Sequence, residues 1–372
     1  MLVLLAVERI VLGRLHSRIP TCIAVVGTRG KSSVTRLIAF GLRGSGLRVA
    51  YKTTGSRAIY GDAEGTEHVV RRRGCPTPLE QRGILRHAAR TRVDVLVVEA
   101  LSVRPESLQA EVRRILRPAA VAVTNVEADH VADIDDPVCA FAATVPRTAT
   151  AVLSPAAPTS LRDRLQAAGN AVRIADSTVE SAAGDLPYEE WNENVALALA
   201  VCDTLGIPPE VARRGMTYAV PDRGVLAAWR ISVGSATCVA VNAFAANDPL
   251  ATQHAFRRAR TQWMSPGDPA IGILNLRRDR GDRTAQWLAA LHPDRWPFAQ
   301  LVVSGHVPWQ VRRSLRKSYG TRATFVPCAG AGRIMDELDT RALPNALLFG
   351  FGNFAGAGAA LVDYWMTVGE VA

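Results

Sequence analysis

Val25-Val26-Gly27-Thr28-Arg29-Gly30-Lys31-Ser32-Ser33 sits between a strand-like apolar run, Cys22 to Val26, and an amphipathic helix-like run, Ser33 to Leu42. A glycine turn at such a junction aims backbone N–H groups, and the positive end of the helix, at an anion above it. Lys31 can set a point charge on the β/γ-phosphates of a nucleotide, and the Ser32 hydroxyl can ligate Mg²⁺. The spacing is the short Gly-x-x-Gly-Lys-Ser, with Val25 standing where the general Walker pattern asks for glycine. Strand, turn and helix follow in the required order, so the stretch reads as a triphosphate site; the plain alternative is an ordinary βα turn. Gly27, Thr28, Arg29, Gly30, Lys31, Ser32 and Ser33 are its candidate nucleotide-binding residues.

Outward from this turn the pattern alternates. Short Val/Ile/Ala-rich runs at 22–26, 47–51, 93–98, 119–124, 150–153 and 171–175 read as strands, with helical periodicity at 33–43, 79–90, 105–116 and 136–144. That alternation predicts an α/β fold with a mostly parallel sheet and helices on both faces. In such sheets the chemistry gathers at the C-terminal ends of strands. Lys52-Thr53-Thr54 ends the second run, beside the turn, and can reach phosphate or substrate. Glu99 ends the third, where a Mg²⁺ ligand is expected. The fourth leads into Asn125-Val-Glu-Ala-Asp129-His130-Val-Ala-Asp133, whose His130 suggests a second metal position.

Asn194 stands just before the apolar stripe of a helix over 188–205 with an acidic first turn. Val220-Pro221-Asp222-Arg223-Gly224 reads as a linker, which places an apolar helix at 1–20, a first domain at 21–222 and a second at 223–372. The second half is again α/β, with strands at 237–242, 270–274, 299–303, 322–326 and 345–349 and helices at 307–318, 331–338 and 356–367. Its strand ends carry Asn242 and Asn247, the run Arg278-Asp279-Arg280-Gly281-Asp282-Arg283, and the glycine-rich Gly350-Phe-Gly352-Asn353. Guanidinium groups interleaved with Asp at a strand end suit an anion.

A net charge of +10 in 372 residues asks for an anionic partner. The basic residues form no long block with interleaved aromatics, so nucleic acid ranks below a nucleotide plus an acidic substrate. Only Lys31, Lys52 and Lys317 are lysines, and two of them fall in or beside the turn. The six cysteines show no C-x-x-C and read as buried free thiols. Residues 2–15 are apolar but interrupted by Glu8 and Arg9, and are shorter than the roughly 20 residues of a spanning helix. They read equally as a packed first helix or as a dock on a membrane or membrane partner.

Together, Gly27-Thr28-x-Gly30-Lys31-Ser32, the strand-end Glu99, Asn125-x-x-x-Asp129-His130-x-x-Asp133 and Asn194 resemble the Mur ligase superfamily of ATP-dependent amide ligases. Lys-Thr-Thr-Gly at 52–55, Asn-x-Phe-Ala-Ala-Asn-Asp at 242–248 and Asp279-Arg280-Gly281-Asp282-Arg283-Thr284 are similar to its poly-γ-glutamate synthase branch. The resemblance implies ATP and Mg²⁺ as cofactors, with Lys31 on the phosphates and Ser32, Glu99 and His130 on metal. Asn194 would read adenine, Asn242 and Asn247 would contact the nucleotide, and a linker arginine, Arg230 rather than Arg223, would reach the phosphates. Lys52, Thr53, Thr54, Arg278, Arg280, Asp282 and Arg283 would face the acidic substrate. It further implies glutamate and a growing anionic polymer as substrates, a small integral-membrane synthase subunit as partner, and a place at the cytoplasmic face of the cell membrane, with homo-oligomerisation open. Many members hold their second Mg²⁺ with a carbamylated central-domain lysine; here no lysine lies between Lys52 and Lys317. The chemistry implied is activation of a carboxylate as acyl phosphate and its capture by an amine, with the 216–230 segment as hinge. The alternatives are a P-loop kinase or ATPase and a nucleotide-regulated binding subunit of a membrane assembly.

Overall fold

The computed structural model describes residues 2–55, 58–72, 74, 76–102, 104–126, 136–176, 186, 190–220, 226–246, 248–339 and 344–372, with side chains from residue 9 onward. The chain divides into two compact units, Met1–Asp222 and Arg223–Ala372.

The first unit is built on strands β1 (Thr21–Val26), β2 (Val49–Thr53), β3 (Ile59–Gly61), β4 (Glu67–Val69), β5 (Val95–Glu99), β6 (Ala120–Val123), β7 (Thr150–Leu153) and β8 (Val172–Ile174). They form one sheet in the order β4-β3-β2-β5-β1-β6-β7-β8, parallel apart from the β3 and β4 pairings. The near-continuous apolar runs of β1 and β5 follow from burial on both faces. One face packs against α1 (Leu2–His16) and α3 (Glu80–Thr91), the other against α2 (Lys31–Arg43), α7 (Asn192–Thr204) and α8 (Pro209–Met216). Further helices are α4 (Pro105–Gln109), continued by a π-helical segment Ala110–Leu116, α5 (Pro137–Thr144) and α6 (Thr159–Ala167). The chain leaves β1 toward β2 on one side and leaves β6 toward β7 on the other, which opens a crevice over their C-terminal ends. The glycine turn lies there.

Strand alternation decides the fate of the β2 side chains. Val49 and Tyr51 join the core under α2, whereas Ala50 joins the other core and Lys52 turns to α3. In α1, Leu12 is buried, His16 Nε2 bonds the carbonyl of Ile115, and Ile10 and Val11 are exposed. The described half of this helix therefore packs on the domain. No helix of the described residues is long and apolar enough to cross a membrane.

The second unit orders its sheet β13-β12-β11-β14-β10-β9-β15, from β9 (Ala227–Val233), β10 (Ala236–Asn242), β11 (Ala270–Leu276), β12 (Gln300–Gly305), β13 (Ala323–Pro327), β14 (Leu347–Gly352) and β15 (Glu370–Val371). Helices α9 (Pro249–Trp263), α10 (Gly281–Ala290) and α11 (Trp309–Tyr319) share one core face through Phe256, Trp287, Val311 and Leu315. Helices α12 (Ala331–Asp339) and α13 (Ala357–Val368) cover the other through Ile334, Leu338, Leu361 and Trp365.

Three expectations change. The 216–230 segment is not all linker, because α8 runs to Met216 and β9 begins at Ala227. Arg230 is no linker residue: it lies within β9, opposite Val239 and Glu370, on the exposed side of a strand whose alternate residues Trp229, Ile231 and Val233 are buried. The cysteines are not all buried: Cys22, Cys202 and Cys238 are, but Cys139 and Cys328 are exposed.

Candidate nucleotide site

After Val26 the backbone enters a positive-φ conformation at Gly27 (136°) and again at Gly30 (74°), which caps the start of α2. Both glycines are also required by close approach. A Cβ on Gly27 would stand 2.0 Å from Thr124 Oγ1, and one on Gly30 would stand 2.7 Å from Asn194 Oδ1. The first turn of α2 has no side-chain cap and no acidic residue. Its first N–H groups, including those of Ser32 and Ser33, have no intrahelical acceptor and stand at the positive end of the helix.

Asn125 shapes this turn from the end of β6. Its Oδ1 accepts from Thr28 N (3.2 Å), Thr28 Oγ1 (2.5 Å) and Arg29 N (2.9 Å), while its carbonyl accepts from Thr28 N at 3.2 Å. Lys31 curls back over the turn, its Nζ donating to the carbonyls of Gly27 (2.9 Å) and Thr28 (3.3 Å). Burial lowers the Lys31 pKa, and Glu99 and Glu111 oppose that shift.

Glu99, nearly fully buried, accepts from Ser32 Oγ at 2.7 Å and from Thr54 N at 2.6 Å through one oxygen. A hydroxyl and a carboxylate of this kind are hard oxygen donors suited to Mg²⁺. Behind them, Gln81 Nε2 donates to the Glu99 carbonyl (3.3 Å) and to Glu111 Oε1 (2.6 Å). The Glu111 carboxylate, delivered by the π-helical segment, also holds the N–H groups of Leu101 and Ser102 at 2.9 Å each. The stretch leaving Glu99 is thus fixed from below.

Lys52 does not face the crevice. It is fully buried, with Nζ 2.5 Å from Glu80 Oε1 on α3, and Arg72 clasps the same carboxylate at 2.8 and 2.9 Å. Thr53 is buried as well, and Thr54 gives its N–H to Glu99. The strand's alternation sends Lys52 under the sheet, away from the substrate contact expected of it, and puts Thr53 on the opposite face with Val49 and Tyr51. Asn194 lies against Gly30, with its Nδ2 donating to Glu190 Oε1 at 2.7 Å. His130, Asp129, Asp133, Asn247 and Arg223 lie outside the described residues. Among the described residues no three His, Cys, Asp or Glu side chains form a metal-holding group.

In the second unit the strand ends are tightly tied. Asn275 Nδ2 donates to the carbonyls of Asn353 (2.5 Å) and Ala355 (3.0 Å), and Asn353 N returns a bond to Asn275 O at 2.8 Å. Asn242 is buried, its Oδ1 accepting from Phe244 N at 3.3 Å. Arg278, Arg280 and Asp282 are exposed, Arg283 is half-buried, and α10 starts at Gly281. Arg277 forms a two-pronged pair with Asp279 at 2.9 and 2.7 Å.

In the sequence Asn125 stands only as part of a polar strand-end loop, and nothing there marks Gln81, Glu80 or Glu111. A strand-end Asn beside a glycine turn could have been found by neighbour order alone. The others act across helices far away in sequence.

Residues 25–137 match the Mur ligase middle domain, and residues 230–367 match the poly-gamma-glutamate synthase CapB C-terminal domain. Among solved structures, folylpolyglutamate synthase of Thermotoga maritima superposes with TM-score 0.66 at 13% identity, covering 97% of this chain and 93% of that one. The bifunctional folylpolyglutamate/dihydrofolate synthase of Yersinia pestis, complexed with AMPPNP and Mn, gives 0.66 at 16%, covering 96% and 93%. The fold is that of the Mur ligases. The capsule biosynthesis protein CapB of Bacillus anthracis is 30% identical over 366 residues, covering 95% of this chain and 78% of that protein. PGA synthase CapB of Bacillus subtilis is 28% identical over 356 residues, covering 93% and 90%. The chain belongs to the CapB family of poly-γ-glutamate synthase proteins.

Proposed function

We propose that the chain is an ATP-dependent amide ligase that joins glutamate into poly-γ-glutamate, releasing ADP and phosphate. The observation that carries this reading is the uncapped N terminus of α2 set directly beside the Ser32–Glu99–Thr54 contacts. The cradle fits a triphosphate, because the first turn of α2 carries no side-chain cap and no acidic residue and Lys31 holds only loop carbonyls. Mg²⁺ would be held by Ser32 and Glu99, with His130 as a further ligand, and would supply charge neutralisation at the phosphates.

Chemically, a γ-carboxylate oxygen bonds to the terminal phosphorus as the bond to the β-phosphate oxygen breaks, and ADP leaves. The amine nitrogen of the next glutamate then bonds to the acyl carbon, phosphate departs, and the nitrogen gives up a proton. Lys31 and the N–H groups of Ser32 and Ser33 stabilise the negative charge at the transferring group. Asn125 keeps the turn in shape and Asn194 supports it at Gly30; Asn194 also stands at the adenine end of this assignment. Asn242 and Asn247 are assigned to the nucleotide, and Thr54, Arg278, Arg280, Asp282 and Arg283 to the acidic substrate. Residues 21–222 thus form the ATP-binding domain and 223–372 its companion. The exposed Ile10 and Val11 support docking of α1 on a membrane-borne synthase subunit.

Glutamate labelled with ¹⁸O in its γ-carboxyl tests the route. Label appearing in released phosphate, with one ADP per bond formed, is expected. AMP release, or phosphate release needing no amine, contradicts it.

A further inference from the structure

The charge of the second unit is sorted by face. Residues 249–322, which carry α9, α10 and α11, hold thirteen Lys/Arg against four Asp/Glu. The rest of Arg223–Ala372 holds four against six. Helices α9 and α11 contain no acidic residue at all. On α11, Arg312 and Arg316, and Arg313 and Lys317, each stand four residues apart, which makes two rows of cations spaced about 6 Å. Like charges at that spacing repel and cost about 0.2–0.5 kcal/mol per pair. Among the described residues no carboxylate pairs with Arg313, Arg316 or Lys317 to relieve this. The guanidinium groups are instead steadied on rings: Arg312 and Arg316 over Phe325 at 5.8 and 5.5 Å, Arg313 over Trp309 at 5.9 Å, Arg322 over Tyr319 at 5.5 Å.

We propose that this face, centred on exposed Arg313, Arg316, Lys317 and Arg322, is a track for a polycarboxylate chain, separate from the residues that handle ATP. The identity of the polyanion rests on the proposed function; the surface itself rests on charge. Guanidinium forks match two-oxygen carboxylates. Leu250 and Trp309 are the only large apolar side chains exposed on α9–α11 among the described residues, too few to enter a lipid surface or to stack successive bases. The track lies on the helix that joins β12 to β13, with its cations running down α11 to the start of β13. It would hold the growing product near the enzyme between additions, so that elongation outruns release.

The test uses the full chain and a labelled γ-linked glutamate oligomer of about ten residues, followed by anisotropy at low and high salt. One variant carries Arg313→Gln, Arg316→Gln, Lys317→Gln and Arg322→Gln; a second carries Glu at the same positions. Both changes are on the surface, and thermal unfolding verifies the fold. Expected are salt-sensitive binding by the wild type, at least about tenfold weaker binding by the Gln variant and weaker still by the Glu variant. The rate of a single glutamate addition stays unchanged while product chains shorten. Equal oligomer affinity and equal product length in all three proteins overturn the proposal. So does tighter charge-dependent binding of phosphatidylglycerol vesicles or single-stranded RNA than of the oligomer. A wild type that binds oligomer but forms no amide sinks the ligase reading and leaves the track standing.

Discussion

Asn125 accepts three hydrogen bonds from two successive residues of the phosphate turn, so one amide oxygen sets the turn's shape. Replacing it with Ala leaves the Arg29 N–H and the Thr28 hydroxyl without that acceptor. We expect Asn125→Ala to lower kcat/KM for ATP about 10- to 100-fold with little change in thermal midpoint, because the turn is only partly buried. Lys31→Ala removes a charge used at the transferring phosphoryl group and should lower kcat about 10²- to 10³-fold; an unchanged rate would remove the basis for the nucleotide assignment. Thiol chemistry separates the cysteines: burial pushes Cys22 and Cys202 up to about 12. In the native protein a maleimide should modify Cys139 and Cys328 and spare Cys22, Cys202 and Cys238, as read by peptide mass spectrometry.

At the level of elements, the Lys52–Glu80–Arg72 cluster ties β2 to α3. Burial raises the Glu80 pKa, but the hydrogen bonds from Arg72 and Lys52 outweigh it, so the carboxyl lies below the usual range. A depressed carboxylate contributes stability above its unfolded pKa of about 4.5 and loses it as pH falls through the folded value. Glu80→Gln should therefore cost about 3 kcal/mol near pH 7, since it strands a buried ammonium, with the deficit shrinking in unfolding curves taken at successively lower pH. The deep strands and the helix after the glycine turn were legible because their period and order were unambiguous. The hairpin of β3 and β4 was not, since three-residue strands carry no measurable period. β9 is hidden for another reason: Pro221-Asp222-Arg223-Gly224 signals a linker, and the short alternation of Trp229, Ile231 and Val233 begins just beyond it. The burial of Lys52 could not be read because its partner lies 28 residues on, and charge pairing between a strand and a helix leaves no local trace.

At the scale of the molecule, each unit owns its apolar cores among the described residues, two on the faces of the first sheet and two on the faces of the second. A fragment of residues 226–372 should accordingly fold alone, with native-like amide dispersion by NMR and a cooperative melt; a molten fragment would show that the units depend on one another. The same separation explains why two domain families, matched at 25–137 and 230–367, could be read independently.

Lysine is so rare here that the three amines work as built-in reporters. Lys317 is exposed, Lys52 is sealed under the sheet, and Lys31 is latched to two carbonyls of its own turn. Brief acetylation of the ligand-free protein should thus mark the first rapidly, the last slowly and the sealed one hardly at all. A nucleotide can engage Lys31 only by prising it off that latch, so the acylation rate at one atom gives a direct, label-free gauge of site occupancy.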